Sequence, residues 1–224
     1  MIKSHPSEAM LNSFVSGTLS PALSLIVATH IDMCPRCQHI VSELEQELAE
    51  QMLATPANLG SADSQMMLEA IFNSQEPVIE QSSEADNESA GLITLEGKQF
   101  HLPRALARQR DRIGPWNKMV GKLWRAPLNL STEETTNLIY MAEHSGVPEH
   151  THKGMEATLV INGRFNDEFD SYTDGDFILL DGSRQHTPQT SDEDCLTLAV
   201  MDQPLHFTSG LSRLLNPFSS IFFR

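Results

Sequence analysis

The chain has 224 residues, room for one large domain or two modest ones, and its 40 % hydrophobic content is enough for globular cores. Thirty Asp and Glu against fifteen Lys and Arg leave a formal charge of −15. This argues against a nucleic-acid surface, where affinity comes largely from cations neutralising phosphates, and suits a basic protein partner, although solubility also accounts for it.

The N-terminus, Met1-Ile2-Lys3-Ser4-His5, lacks the apolar core of a signal peptide, and no stretch approaches the length of a membrane span. Three cysteines, two of them in one CxxC, do not make a disulfide framework. The expected location is the cytoplasm, where thiols stay reduced.

A first helix is expected over 6–16, with Met10 and Phe14 on one face and Gly17 as its stop. Ser20-Pro21 reads as an N-cap followed by proline at the first helical position, opening a second helix over 21–31. Leu23, Ile26, Val27 and His30 recur at i, i+3, i+4 and i+7, which places His30 on the apolar stripe. Pro35 cannot continue that helix but can open another. The third helix then runs over 35–53, with Ile40, Val41, Leu44, Leu48 and Met52 as its stripe and Glu43, Glu47 and Glu50 opposite. A fourth, over 61–72, carries Met66, Met67, Ala70 and Ile71.

His30, Cys34 and Cys37 form an H-x3-C-x2-C array across the junction of helices two and three. Thiolates plus imidazole at short spacing suit tetrahedral zinc, which takes four such ligands. His5 is the best fourth candidate. Both sulfurs would sit near a helix N-terminus, whose dipole favours thiolate. The same residues also fit a small helical core, or a CxxC redox pair with a bystander histidine; His30 on the buried stripe and the availability of His5 favour zinc. His39 reads as an ordinary helix residue. A helical unit of this size rarely gains more than about 3–5 kcal/mol from burial, whereas structural zinc contributes roughly 10–16 kcal/mol in small peptides. The unit is therefore expected to depend on zinc for its fold.

Residues 74–91 are polar and acidic, with little to bury, and read as a linker. The expected divisions are a helical domain over 1–75, a linker over 76–91, a β-domain over 92–208 and an apolar tail over 209–224. Residues 98–125 are basic and are expected to contact the acidic linker or helical domain, or to form a solvated face. From Leu92 the pattern changes to short β-type runs, over 92–95, 118–124, 137–142, 157–161, 177–180 and 196–201. Gly163, Asp174-Gly175 and Asp181-Gly182 mark turns between them, as in a sandwich or barrel. The tail, too short and interrupted to span a membrane, is expected to dock on that barrel.

A second array lies within it, Gly146-x3-His150-Thr151-His152-x3-Glu156-x6-Gly163, followed by Gly175-x5-Asp181-Gly182-x3-His186. His150 and His152 are two apart, so on a strand both point to one face. Lys153-Gly154 can turn the chain and return Glu156 to them. Three imidazoles and a carboxylate make a mixed N/O site for a first-row divalent metal. His101, His144 and His206 match no ligand position, and Cys195 reads as a small buried apolar residue.

These arrays carry a resemblance over nearly the whole chain. His5 with His30-x3-Cys34-x2-Cys37 resembles the zinc-binding anti-sigma domain of the ChrR type, which pairs that module with a C-terminal cupin. The second array resembles the two cupin motifs, with the first glycine closer to His150 than usual and Asp181 in place of the customary proline. The fold this implies is multi-domain α and β, an N-terminal all-α zinc-binding helical domain plus a C-terminal all-β cupin, a jelly-roll β-barrel. The function it implies is not enzymatic: a zinc-dependent anti-sigma factor that sequesters an extracytoplasmic-function sigma factor. Release would follow singlet oxygen or an organic peroxide, with the cupin as sensor and no direct contact with nucleic acid or membrane. Implied ligands are His5, His30, Cys34 and Cys37 for zinc, and His150, His152, Glu156 and His186 for a second divalent metal, zinc first, with iron, manganese or nickel as alternatives. The competing function is a metal-dependent cupin dioxygenase with a helical regulatory domain.

Overall fold

Serines start the first two helices. In a computed structural model of the protein, describing residues 1–54, 62–73, 91–119 and 121–208, Ser7 Oγ accepts the Met10 amide at the start of α1 (Glu8–Val15). Ser20 Oγ accepts the Leu23 amide at the start of α2 (Pro21–Met33), where Pro21 occupies the first turn as its fixed φ allows. Helix α3 (Pro35–Leu53) follows after the single residue Cys34, and α4 (Ala62–Asn73) comes next. Most of the linker expected over 76–91, and the whole tail over 209–224, fall outside the described residues.

The remaining chain is β-rich. Strands β1 (Leu92–Leu95) and β2 (Lys98–His101) form a hairpin, and the short helix α5 (Arg104–Ala107) and a 3-10 turn (Arg110–Arg112) lead into the main sheet. That sheet contains β3 (Asn117–Lys118), β4 (Leu123–Pro127), β5 (Thr135–Met141), β7 (Glu156–Asn166), β8 (Ser171–Thr173), β9 (Phe177–Leu180) and β11 (Cys195–Met201). Its order is β3-β4-β5-β11-β7-β8, with β9 also on β7. A smaller sheet, β10-β6-β12, is made of β10 (Gln185–His186), β6 (His150–His152) and β12 (Leu205–Phe207). Among the described residues every strand pairing is antiparallel. The architecture is the expected one, an N-terminal helical region and a C-terminal cupin-like β-sandwich.

The strand expected over 118–124 is two strands. The chain reverses between β3 and β4 through Gly121 at φ 72°, and the Met119 amide donates to the Leu123 carbonyl at 2.8 Å.

All seven residues of β11 are buried, because both faces of the main sheet are covered. Cys195, Ala199 and Met201 join Met141 and Leu180 in the barrel interior. Leu196, Leu198 and Val200 belong to a second core, shared with Ile26 and Val27 of α2. Helix α2 lies on β7 and β11. It also meets α5, whose Ala105 amide donates to Asp32 Oδ2 at 2.6 Å, so part of the basic segment does face the helical region. Each fully buried aliphatic side chain contributes about 1.5–3 kcal/mol, and the small helical core thus draws on the barrel as well as on its own residues. Among the described residues no helix is long and apolar enough to cross a membrane.

Ile26, fully buried in the shared core, provides the test. Ile26→Ala should cost ~2–5 kcal/mol and lower the urea midpoint followed by tryptophan fluorescence, since Trp116 and Trp124 both lie in the β-rich region. An unchanged fluorescence midpoint would show that the barrel does not feel α2.

Candidate metal centres

At the α2–α3 junction Cys34 ends one helix and caps the next, with extended backbone (φ −118°, ψ 99°) and no side-chain capping bond. Its sulfur is free to turn inward. His30 lies in the last turn of α2, Cys37 in the first turn of α3, and His5 on the segment leading to α1. The four side chains converge. His5 Nδ1 is 3.4 Å from His30 Nε2, 3.5 Å from Cys34 Sγ and 3.4 Å from Cys37 Sγ, and His30 Nε2 is 3.2 Å from Cys37 Sγ. Tetrahedral zinc with Zn–N about 2.0–2.1 Å and Zn–S about 2.3 Å would space nitrogens about 3.4 Å apart and nitrogen from sulfur about 3.5 Å. The donor set fits a tetrahedral metal to within a few tenths of an ångström.

Burial sets the protonation. His30, wholly buried, is lowered to about 4 by desolvation, so the imidazole is neutral at neutral pH, the form that binds metal. Its Nδ1 lies 2.8 Å from the Gly175 carbonyl. A carbonyl only accepts, so the proton sits on Nδ1 and the Nε2 lone pair faces the sulfurs. Desolvation, then the neighbouring Cys34, pushes the Cys37 thiol up to about 12. Burial therefore outweighs the expected thiolate-favouring dipole of α3. A thiolate pair is tolerable here with a cation among the donors.

The barrel set is built by strand pairing. His150 and His152 share a face of β6, whose neighbour β10 places His186 opposite His150. The turn after β6 is held by the Met155 amide donating to Asp202 Oδ1 at 2.7 Å, and it returns the chain with Glu156 at the start of β7. His186 Nε2 is 3.0 Å from His150 Nε2 and 3.2 Å from His152 Nε2. Glu156 Oε2 is 2.8 Å from His152 Nε2 and 4.0 Å from His186 Nε2. Donors at right angles around a point about 2.1 Å away would be about 3.0 Å apart, and opposed donors about 4.2 Å. This set suits a centre with open positions, whereas the helical set is closed.

Further features of the barrel set fit a cation. Thr158 Oγ1 donates to Glu156 Oε1 at 2.8 Å, while the buried Oε2 has no well-aligned donor among the described residues. Burial would raise Glu156, but His152 and then the other two imidazoles outweigh it and bring the carboxyl to about 2. Desolvation lowers His150 to about 4. His150 donates from Nδ1 to the Pro148 carbonyl at 2.8 Å, and His186 Nδ1 lies 3.3 Å from buried Asp167 Oδ2, contacts that leave both Nε2 atoms facing inward. A cavity of about 40 Å³ adjoins His150, Glu156 and His186 and is lined mainly by apolar groups, Met141 and Met201 among them. It has room for a few waters at most.

Known proteins match this chain over nearly its full length. The ChrR cupin-like domain family matches residues 107–206. The anti-sigma-E factor ChrR of Cereibacter sphaeroides is 33 % identical over 230 residues, covering 98 % of this chain and 99 % of the relative. The chain belongs to the ChrR anti-sigma factor family. The crystal structure of Rhodobacter sphaeroides SigE in complex with the anti-sigma ChrR is also similar, with a TM-score of 0.69 at 27 % identity, covering 90 % of this chain and 100 % of that one.

All eight residues singled out from the sequence thus fall into two four-residue groups, each with its donor atoms within 4.8 Å of one another. His39, His101, His144 and His206 join neither, and Cys195 is a buried residue of β11. Asp181 replaces the cupin proline by accepting the Ser183 amide at 2.9 Å, which closes the turn through its side chain. Sequence reasoning missed Asp167 beside His186, Asp176 on the chain before His5, and the contact of the motif glycine Gly175 with His30.

The lowered histidines give a pH dependence for the metal-free protein. Unfolded, His30 and His150 bind protons below about 6.5; folded, they stay neutral down to about 4. The unfolded state therefore holds more protons between those values, and stability falls as pH drops through the window. At pH 5 the loss should be ~2 kcal/mol per histidine. Urea midpoints of the metal-free protein at pH 7.5 and pH 5 check this. Equal midpoints would mean that neither ring is buried neutral.

Proposed function

We propose that this chain is a zinc-dependent anti-sigma factor that sequesters an extracytoplasmic-function sigma factor in the cytoplasm, without direct contact to nucleic acid or membrane. The observation that carries this reading is the closed His5–His30–Cys34–Cys37 set at the α2–α3 junction, in a chain 33 % identical to an anti-sigma-E factor over 98 % of its length. Zinc bound there would supply the positive charge that makes two buried thiolates stable. The residues themselves tie the N-terminal segment, α2 and α3 into one unit.

The surface supports a protein partner. Met52 and Leu53 at the end of α3, and Met66, Met67, Leu68, Ile71 and Phe72 on α4, are all more than half exposed, Phe72 at 82 %. Exposed apolar side chains gathered on one short helix mark an interaction site. No Lys or Arg occurs between Arg36 and Lys98, so the same region would steer a basic partner toward that apolar helix.

In this reading the barrel is the sensor for singlet oxygen or an organic peroxide, and His150, His152, Glu156 and His186 hold a second divalent metal, zinc first, with iron, manganese or nickel as alternatives. The chain acts by binding rather than catalysis. A cupin dioxygenase with a helical regulatory domain would use the same four donors, but it has no evident use for the second, His/Cys donor set in the helices.

Two substitutions separate the roles. Cys34→Ala should reduce capture of a co-expressed sigma partner to background and leave less than one zinc at the junction, read by pull-down and metal analysis. Glu156→Ala should keep capture near wild type and blunt release under singlet oxygen. A Cys34→Ala protein that still captures the sigma factor would overturn the zinc-dependent reading. A wild-type response from Glu156→Ala would remove the barrel as sensor and leave the cysteine pair as the switch.

A further inference from the structure

The turn between β8 and β9 spends its polar groups on the helical region. The Gly175 carbonyl accepts a hydrogen bond from His30 Nδ1 at 2.8 Å. Asp176, fully buried, accepts at Oδ1 from the Lys3 amide at 2.6 Å and the Ser4 amide at 2.9 Å, and at Oδ2 from the Thr173 amide at 2.9 Å. The Phe177 amide donates to the Ser4 carbonyl at 3.0 Å, and its ring meets His30 edge-on with centroids 6.0 Å apart. Three successive barrel residues therefore grip His30 and the main chain immediately before His5.

The other side of this turn is fixed to the barrel. Val160 of β7 accepts the Gly175 amide at 2.8 Å and donates to the Asp176 carbonyl at 3.1 Å. Strand β9 leaves the turn at Phe177 and ends at Leu180, which pairs with Glu156, a member of the barrel donor set. Three strand steps of about 3.4 Å make that run roughly 10 Å. Gly175 has φ 85°, a left-handed conformation that favours glycine, and a Cβ there would press on the end of the Ile2 side chain, 2.4 Å from its Cδ1.

We propose that the Thr173–Phe177 turn of the barrel is the outer shell of the helical metal site, with Gly175 and Asp176 as positioning residues for His30 and His5. The inference rests on reading His5, His30, Cys34 and Cys37 as metal ligands. Gly175 fixes the His30 tautomer and ring plane. Asp176 acts through the Lys3 and Ser4 amides on the chain that presents His5. Metal retention in the helices is then a property of the barrel as well, and β9 is the physical link between the two donor sets. Loss of such an outer partner lowers metal affinity by about 10–100-fold in other sites.

The test uses full-length protein loaded with cobalt, because the sulfur-to-cobalt charge-transfer band comes from the junction, where Cys34 and Cys37 stand with the histidines, and not from the barrel donors, which contain no sulfur. Decay of that band against a chelator gives the release rate, and circular dichroism reports folding. Asp176→Asn and Gly175→Ala should each release cobalt at least about tenfold faster than wild type while folded. Lys3→Ala removes the exposed pair with Asp170 but keeps the amide that Asp176 uses, so it should release at the wild-type rate. Wild-type rates in folded Asp176→Asn and Gly175→Ala would overturn the proposal. If one of them fails to fold, the other decides; if wild type shows no sulfur band, the metal-site reading itself fails, a distinct result.

Discussion

The imidazole of His30 joins the helical region to the barrel. It is wholly buried and neutral, and its two nitrogens face different halves of the molecule. One reaches the Gly175 carbonyl of the barrel and the other the Cys37 sulfur. A buried polar ring with an unmet nitrogen would cost about 1–3 kcal/mol, so the seating of α2 on the sheet and the closing of the donor set are fixed together. The helical region accordingly does not rest on a metal alone. Its apolar stripe continues into the outer face of the main sheet, where Leu196, Leu198 and Val200 share its core.

The two donor sets differ in ways that suit different work. Two sulfurs and two nitrogens at tetrahedral spacing leave no position for another ligand, which is the character of a structural site. Three imidazoles and one carboxylate, most of them spaced for right angles beside a small apolar cavity, leave coordination positions open for a small molecule. Electrostatics separates them further. At the junction, burial opposes ionisation of Cys37, whereas in the barrel the imidazoles hold Glu156 ionised despite burial.

Much of this was legible in the sequence, for local reasons. The 3.6-residue stripe put His30 inside, Pro35 marked the junction, and the two-residue spacing of His150 and His152 gave a shared strand face. Helices α2 and α3 begin at their prolines as expected. Features set by distant chain were not legible. Gly175 and His30 are 145 residues apart, and the capping of Lys3 and Ser4 by Asp176 has no sequence signature. Strands β8, β10 and β12 have two or three residues each, too few for alternation to show. The 118–124 run read as one strand because its apolar residues hid the turn at Gly121.

X-ray absorption at the zinc edge tests the junction site most directly, on full-length protein whose barrel histidines 150 and 186 are replaced by alanine so that one centre is seen. Two sulfurs at about 2.3 Å and two nitrogens at about 2.0–2.1 Å are expected. Zinc surrounded only by nitrogen and oxygen, or no bound zinc at all, would contradict this.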